Sequence, residues 1–160
     1  MNFIGTYNVL KAALQNNINR IFVASTSEVY GQLAFKVDEE TSTTQGPISE
    51  TRWGYAVSKL ATEYLALAFQ HQHELNVTTF RPFNIYGPYQ IGEGAIHNFV
   101  LTAIQGKPIT IYEDGTQIRS WCYISDLING IYRRLAAKHR SSWRAVKLRT
   151  QSRGSVSKNS

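Results

Sequence analysis

The run Ile21-Phe22-Val23-Ala24 is apolar at four successive positions, and nothing else in the 160 residues narrows the possible folds as much. A strand that is apolar on both faces belongs in a parallel sheet covered on both sides, so we predict a buried strand over Arg20–Ser25. What flanks it agrees. Residues 2–16 read as a helix, with Val9, Leu10, Ala13 and Leu14 at helical spacing and Asn16-Asn17 as its stop. After a loop rich in Ser, Thr, Gly and acids, about Gly31 to Ser49, Arg52–His73 reads as the strongest helix. There Val57, Leu60, Ala61, Tyr64, Leu65 and Ala68 fall at i, i+3, i+4, i+7, i+8 and i+11, a stripe predicted to be buried. A second strand, Val77–Arg81, is stopped by Pro82 and the Tyr86-Gly87-Pro88 turn. A helix over Ala95–Gln105 ends at Gly106, and Ile109–Tyr112 reads as a short strand before the Asp114-Gly115 turn. This alternation predicts an α/β fold wound by right-handed crossovers.

Charge is unevenly distributed. The net charge is +6, yet up to Ile131 eight Lys/Arg face all eleven acids, a net of −3, whereas Tyr132–Ser160 carries nine Lys/Arg and no acid, a net of +9. The basicity therefore belongs to a tail. Its polar composition predicts disorder over 132–160, following a domain over 1–131, and nucleic-acid binding is disfavoured. No apolar run approaches the ~20 residues a bilayer span needs, and no signal-peptide pattern is seen, so no membrane association and a cytoplasmic location are expected. Cys122 is the single cysteine and the four histidines form no ligand pattern with it, so no metal site is expected.

Three segments carry candidate chemistry. Tyr55-Ala-Val-Ser-Lys59 sets a phenol and an ammonium four residues apart, on one helix face. A free phenol titrates near pH ~10 and is a poor base at neutrality; a neighbouring ammonium favours its phenolate form. By itself the spacing is a weak signal, because an amphipathic helix with an exposed lysine produces it often. Ala24-Ser-Thr-Ser-Glu-Val-Tyr-Gly31 leaves the carboxyl end of an apolar strand, the edge where open α/β sheets bind ligands. A bland Ser/Thr strand cap would look the same. The third segment is Arg81-Pro-Phe-Asn-Ile-Tyr-Gly-Pro88, followed by Gly92-Glu-Gly-Ala-Ile-His-Asn-Phe99 and by Asp114-Gly-Thr-Gln-Ile-Arg-Ser-Trp-Cys-Tyr-Ile-Ser-Asp126.

In this order, over residues 2 to about 131, these segments resemble the extended short-chain dehydrogenase/reductases of the NAD-dependent epimerase/dehydratase family, including UDP-glucose 4-epimerases and UDP-glucuronate decarboxylases. The resemblance implies a partial Rossmann-type doubly wound parallel sheet lacking its first strands, with part of a small substrate-binding lobe. It implies NAD as cofactor, a nucleotide-diphosphate sugar as substrate and a transient ketone at sugar C4. Carried over by position, Tyr55 is the base, Lys59 binds the nicotinamide ribose, and Thr26 hydrogen-bonds the 4-oxygen. Ser25 and Phe83 lie at the nicotinamide end; Asn84 and Arg119 match diphosphate-holding positions, where a forked guanidinium suits a dianion. Ala95, Ile96, Ile111 and Tyr112 match nucleotide-contacting segments. Helices 2–16 and 52–73 resemble the pair that forms a four-helix homodimer interface.

The resemblance also bears on the reaction. Thr26-Ser27-Glu28 is similar to the Thr-Ser-Glu of the decarboxylases, with Glu28 the added catalytic candidate, and lacks the aspartate that dehydratases place at the position of Ser27. The Gly92–Phe99 and Gln117–Asp126 segments are similar to epimerases, so epimerisation ranks ahead of decarboxylation and dehydration last. No Gly-x-x-Gly-x-x-Gly turn is found, and likeness stops near Arg133. A truncated gene product that holds NAD weakly, or a silent remnant pairing with a complete homologue, is the corresponding expectation.

Overall fold

A computed structural model describes residues 1–32, 36–92, 94–111, 115 and 119–136, together with the backbone of 145–148. Helix α1 (Asn2–Gln15) stops at Asn16, whose side-chain amide donates to the Ala12 carbonyl at 2.8 Å. Strand β1 (Arg20–Ala24) follows, and then a 3-10 turn, Ser27–Tyr30. Helix α2 (Trp53–His73) ends at Glu74 in the left-handed region and leads into β2 (Asn76–Pro82). The remaining elements are β3 (Asn84–Tyr86), α3 (Ala95–Ile104), β4 (Trp121–Tyr123), α4 (Ile124–Ala136) and β5 (Ala145–Leu148).

The main sheet has the order β1-β2-β5 and is parallel throughout, with Val23 opposite Thr79. A second pair, β3 and β4, is also parallel and sets Asn84 opposite Trp121. Helices α1 and α2 pack on each other and on the first two strands. Leu10, Val23, Ala66, Phe69, Leu75 and Val77 form the main core there, and a smaller one gathers Val29, Tyr30 and Val37 with Leu60 and Phe83. The main core holds β1 and β2 in register, and the smaller one sits where the chain leaves their carboxyl ends. The α/β class and the parallel sheet expected from the sequence are therefore present.

Several expectations need correction. The stripe predicted to be buried on α2 is turned outward in part: Val57 is 48% and Tyr64 65% exposed, while Trp53, Ala56, Thr62, Glu63, Ala66 and Phe69 are buried. Two alanines let the helix approach the sheet closely, and a buried carboxylate is tolerated because it is paired, a combination hydrophobic periodicity cannot register. Val9 on α1 is likewise 60% exposed.

Ile109–Ile111 forms no strand, and Tyr112 lies outside the described residues. Ile109 and Ile111 are exposed, and neither pairs with a described strand; an apolar run without a ladder partner does not become a strand. The tail predicted to be disordered contains an ordered piece, since α4 runs on to Ala136 and Ala145–Leu148 pairs with β2, Thr79 opposite Ala145. The edge of β2 offers backbone partners that composition does not reveal. The rest of 137–160 lies outside the described residues.

Candidate active site

The site begins at the carboxyl end of β1. The Ser25 amide donates to the Phe80 carbonyl at 2.8 Å, so ladder pairing extends one residue beyond the strand and fixes where Thr26 starts to turn. Thr26 is extended and caps the 3-10 turn, its Oγ1 accepting from the Glu28 amide at 3.3 Å. Ser25 and Thr26 are both buried, and the Ser25 hydroxyl has no hydrogen-bond partner. Gly31 closes the turn at φ 75°; a Cβ there would overlap the Thr44 hydroxyl and also violate a left-handed backbone. Thr44 Oγ1 donates to the Tyr30 carbonyl at 3.0 Å and the Thr44 amide to the Val29 carbonyl at 3.1 Å, which seats the following loop over the turn.

The first turn of α2 is anchored by Trp53, buried, with Nε1 donating to Glu50 Oε2 at 3.0 Å. Tyr55 follows, 47% exposed, with Lys59 one turn further on. Lys59 Nζ donates to the Ala24 carbonyl at 3.0 Å and lies 5.9 Å from the centre of the Tyr55 ring. One ammonium thus bridges the phenol on α2 and the end of β1, one residue before Ser25 and two before Thr26. Tyr55 and Lys59 are thereby placed beside the end of the strand from which Ser25 and Thr26 follow in sequence. Glu28, on the turn itself, is exposed.

Phe83 lies between β2 and β3, half-buried, stacked on Tyr30 at 6.4 Å between centroids and 26° between planes. Asn84 is exposed, and its Nδ2 donates to the Ser120 carbonyl at 3.2 Å; the β3–β4 pairing carries the adjoining Arg119 to the same place. Asn84 is thus tied to the segment that leads from Arg119 into β4. Ala95 and Ile96 open α3, a helix that buries none of its residues, and Ile111 is 67% exposed. Among the described residues no group of three His, Cys, Asp or Glu could hold a metal ion, and no helix is long and apolar enough to cross a membrane.

Sequence reasoning overlooked one cluster. Arg81 is buried and donates through Nε and Nη2 to the two carboxylate oxygens of Glu63, at 2.9 and 2.7 Å, and through Nη1 to Tyr30 Oη at 3.0 Å and the Glu39 carbonyl at 3.3 Å. Burial by itself would lower the pKa of Arg81, but hydrogen bonds to Glu63 and Tyr30 outweigh it and hold the guanidinium above its ordinary value. Burial raises the Tyr30 phenol, with the Arg81 hydrogen bond opposing. The available signal was an acid four residues beyond Lys59 on a helix and an arginine inside an apolar strand, each alone out of place.

The parallel α/β sheet is of Rossmann type, with a phenol–ammonium pair on α2 and hydroxyls just beyond the carboxyl end of β1. The profile of the NAD dependent epimerase/dehydratase family matches residues 1–145, and the chain belongs to that family. A UDP-N-acetyl-alpha-D-glucosaminuronate decarboxylase of Bacillus cytotoxicus is 42% identical over 130 residues, covering 79% of this chain and 40% of its own length. The UDP-glucuronic acid 4-epimerase of Bacillus cereus, solved with UDP-glucuronic acid and NAD, superposes with a TM-score of 0.82 at 28% identity, over 94% of this chain and 46% of that one. MoeE5, solved with UDP-glucuronic acid and NAD, gives 0.81 at 32% identity over 93% and 48%. The chain thus spans less than half the length of these relatives.

Proposed function

We propose that this chain supplies the acid–base and sugar-binding residues of an NAD-dependent enzyme that oxidises a UDP-linked sugar at C4 and reduces it again, an epimerase. The observation that carries the reading is Lys59 Nζ, held at 3.0 Å from the Ala24 carbonyl and 5.9 Å from the Tyr55 ring. NAD fits what the residues offer at its nicotinamide end: a buried hydroxyl on Ser25 without a partner, an ammonium on Lys59 and the half-buried ring of Phe83. Bound NAD supplies the hydride acceptor and donor. Tyr55, beside the Lys59 cation, takes the proton of the 4-hydroxyl and later returns it. Thr26 Oγ1 already accepts from the Glu28 amide, which leaves its proton for the sugar 4-oxygen. Asn84 and Arg119 hold the diphosphate, the guanidinium through its forked donors.

Relatives solved with UDP-glucuronic acid favour a UDP-hexuronic acid as substrate. A second reading has a specific basis: Thr26-Ser27-Glu28 and the similarity to a uronate decarboxylase point to loss of carbon dioxide from the same 4-keto intermediate. The two readings share their first step and part after it.

The outward-facing residues of α1 and α2 support a homodimer through this helix pair. Ile4, Val9, Val57 and Tyr64 are exposed in the single chain although they continue the helices' apolar patterns, and a second copy would cover them. To test the chemistry, the protein that carries this chain is incubated with NAD and UDP-glucuronate and the products are followed by NMR. The 4-epimer is expected, and Tyr55→Phe is expected to abolish it. A UDP-pentose with carbon dioxide would select the second reading, and an unchanged sugar would refute both.

A further inference from the structure

The buried cluster around Arg81 has no part in the chemistry just described, yet it joins α2, which carries Tyr55 and Lys59, to the 3-10 turn that Thr26 caps. Its α2 arm is Glu63, one helical turn beyond Lys59 and two beyond Tyr55. At ~1.5 Å rise per residue these three side chains lie along one face of the helix within ~12 Å. Both Glu63 oxygens accept from the guanidinium, so helix and strand are joined by two parallel bonds that oppose rotation of α2 about its axis. The opposite arm is Tyr30, the last residue of the 3-10 turn that Thr26 caps, together with the Glu39 carbonyl in the next loop. Arg81 also lies 4.9 Å from the centre of the Tyr30 ring, whose other neighbour is Phe83. Arg81 itself sits on β2, two residues before Phe83.

We infer that Arg81 and Glu63 are positioning residues, a single buried fork that sets the Tyr55–Lys59 face of α2 against the Thr26 turn and Phe83. A weld between helix and strand alone would need neither the Tyr30 hydroxyl nor the Glu39 carbonyl. The four donations run in one fixed planar pattern, which an ammonium cannot reproduce. A role limited to charge neutralisation would be met by lysine; the positioning role would not. The inference rests on the proposed role of Tyr55 for its kinetic consequence, and its structural content can be tested without it.

The test uses the 160-residue chain labelled with 3-fluorotyrosine, the Tyr55 resonance being assigned through Tyr55→Phe. Glu63→Gln keeps the side chain's shape and removes the charge-assisted pair; Arg81→Lys keeps the charge and removes the fork. Val77→Ala, a core truncation four residues before Arg81 that leaves all of the Arg81 bonds intact, serves as a control for loss of stability. The Tyr55 fluorine line is expected to shift or split in Glu63→Gln and Arg81→Lys, and to stay in place in Val77→Ala. In Tyr30→Phe, which keeps the ring, amide exchange at Glu28 and Val29 is expected to accelerate. A Tyr55 line at its original position in folded Glu63→Gln overturns the inference, as does an equal shift in Val77→Ala. If Arg81→Lys fails to fold, Glu63→Gln decides alone. In the active protein Glu63→Gln is expected to lower kcat about 10²-fold with KM for the sugar nucleotide little changed, the cost of a small misplacement of reacting groups. A wild-type protein without turnover would refute the proposed function and leave the fluorine test standing.

Discussion

Replacing Glu63 by leucine would leave the Arg81 guanidinium buried without its carboxylate, and the size of the loss can be worked out. The two side chains are 3% and 4% exposed and lie 2.7 Å apart, so solvent screening gives little relief. Removing one partner of such a pair costs about 3–5 kcal/mol, most of it the desolvation of the charge left behind. For a domain of this length each kcal/mol lowers Tm by about 2–4 °C, so Glu63→Leu should melt ~6–20 °C below wild type. Arg81→Met should cost a similar amount, because it strands the carboxylate instead. The double variant Glu63→Leu/Arg81→Met removes both charges, and most of the loss should be recovered. Urea unfolding of the four proteins at neutral pH gives the cycle directly, provided the m-values agree. A double variant as unstable as the sum of the two singles would refute the reasoning, since the cost would then come from lost packing and not from an orphaned charge.

Tyr30 gives a pH test. Burial raises its phenol above the ordinary value; its contribution to stability is therefore complete below the unfolded value near pH ~10 and is lost as pH rises through the folded one. Urea melts at pH 9 and pH 11 should show a steeper fall for wild type than for Tyr30→Phe, and equal falls would contradict the assignment. The helix-pair dimer is tested by light scattering. Wild type should run at twice the chain mass and Val57→Asp at the single-chain mass, whereas a wild-type monomer would remove the proposal.

The strand Ile21–Ala24, the return strand and the helix Ala95–Ile104 were legible because each is announced by local pattern and bounded by Asn16-Asn17, Pro82 or Gly106. In β1, however, only Val23 is buried and Ala24 is exposed, so the expected cover on both faces is incomplete within the single chain. Ser25, Thr26 and Tyr55, at or near element ends, and Lys59, one turn into α2, were legible because sequence position there largely fixes spatial position. Glu63 and Arg81 were not. Each offends its own local rule, an acid on a buried helix face and a cation within a strand, and only their meeting across 18 residues resolves both. Strands β3, β4 and β5 were also invisible. They have three or four residues each, too few for an alternation to repeat, and the pairing that makes each a strand comes from a distant segment.

Misreading the buried stripe of α2 follows from the same physics and explains why this helix resists a simple amphipathic description. Over 21 residues it meets three different surroundings. Toward the sheet it presents Ala56, Ala66 and Phe69, small residues and one ring, which set its distance from β1 and β2. Toward the strand ends it presents Lys59 and Glu63, whose charges end on the Ala24 carbonyl and on Arg81. Outward it presents Val57 and Tyr64, apolar but without a partner in the single chain. A hydrophobic stripe counts apolar residues whether the fold buries them or leaves them outward, and it gives no weight to a carboxylate that is buried because it is paired. The periodicity of α2 therefore mixes residues that face the sheet with Val57 and Tyr64, which face outward, and it misses Glu63, whose buried carboxylate is paired by Arg81.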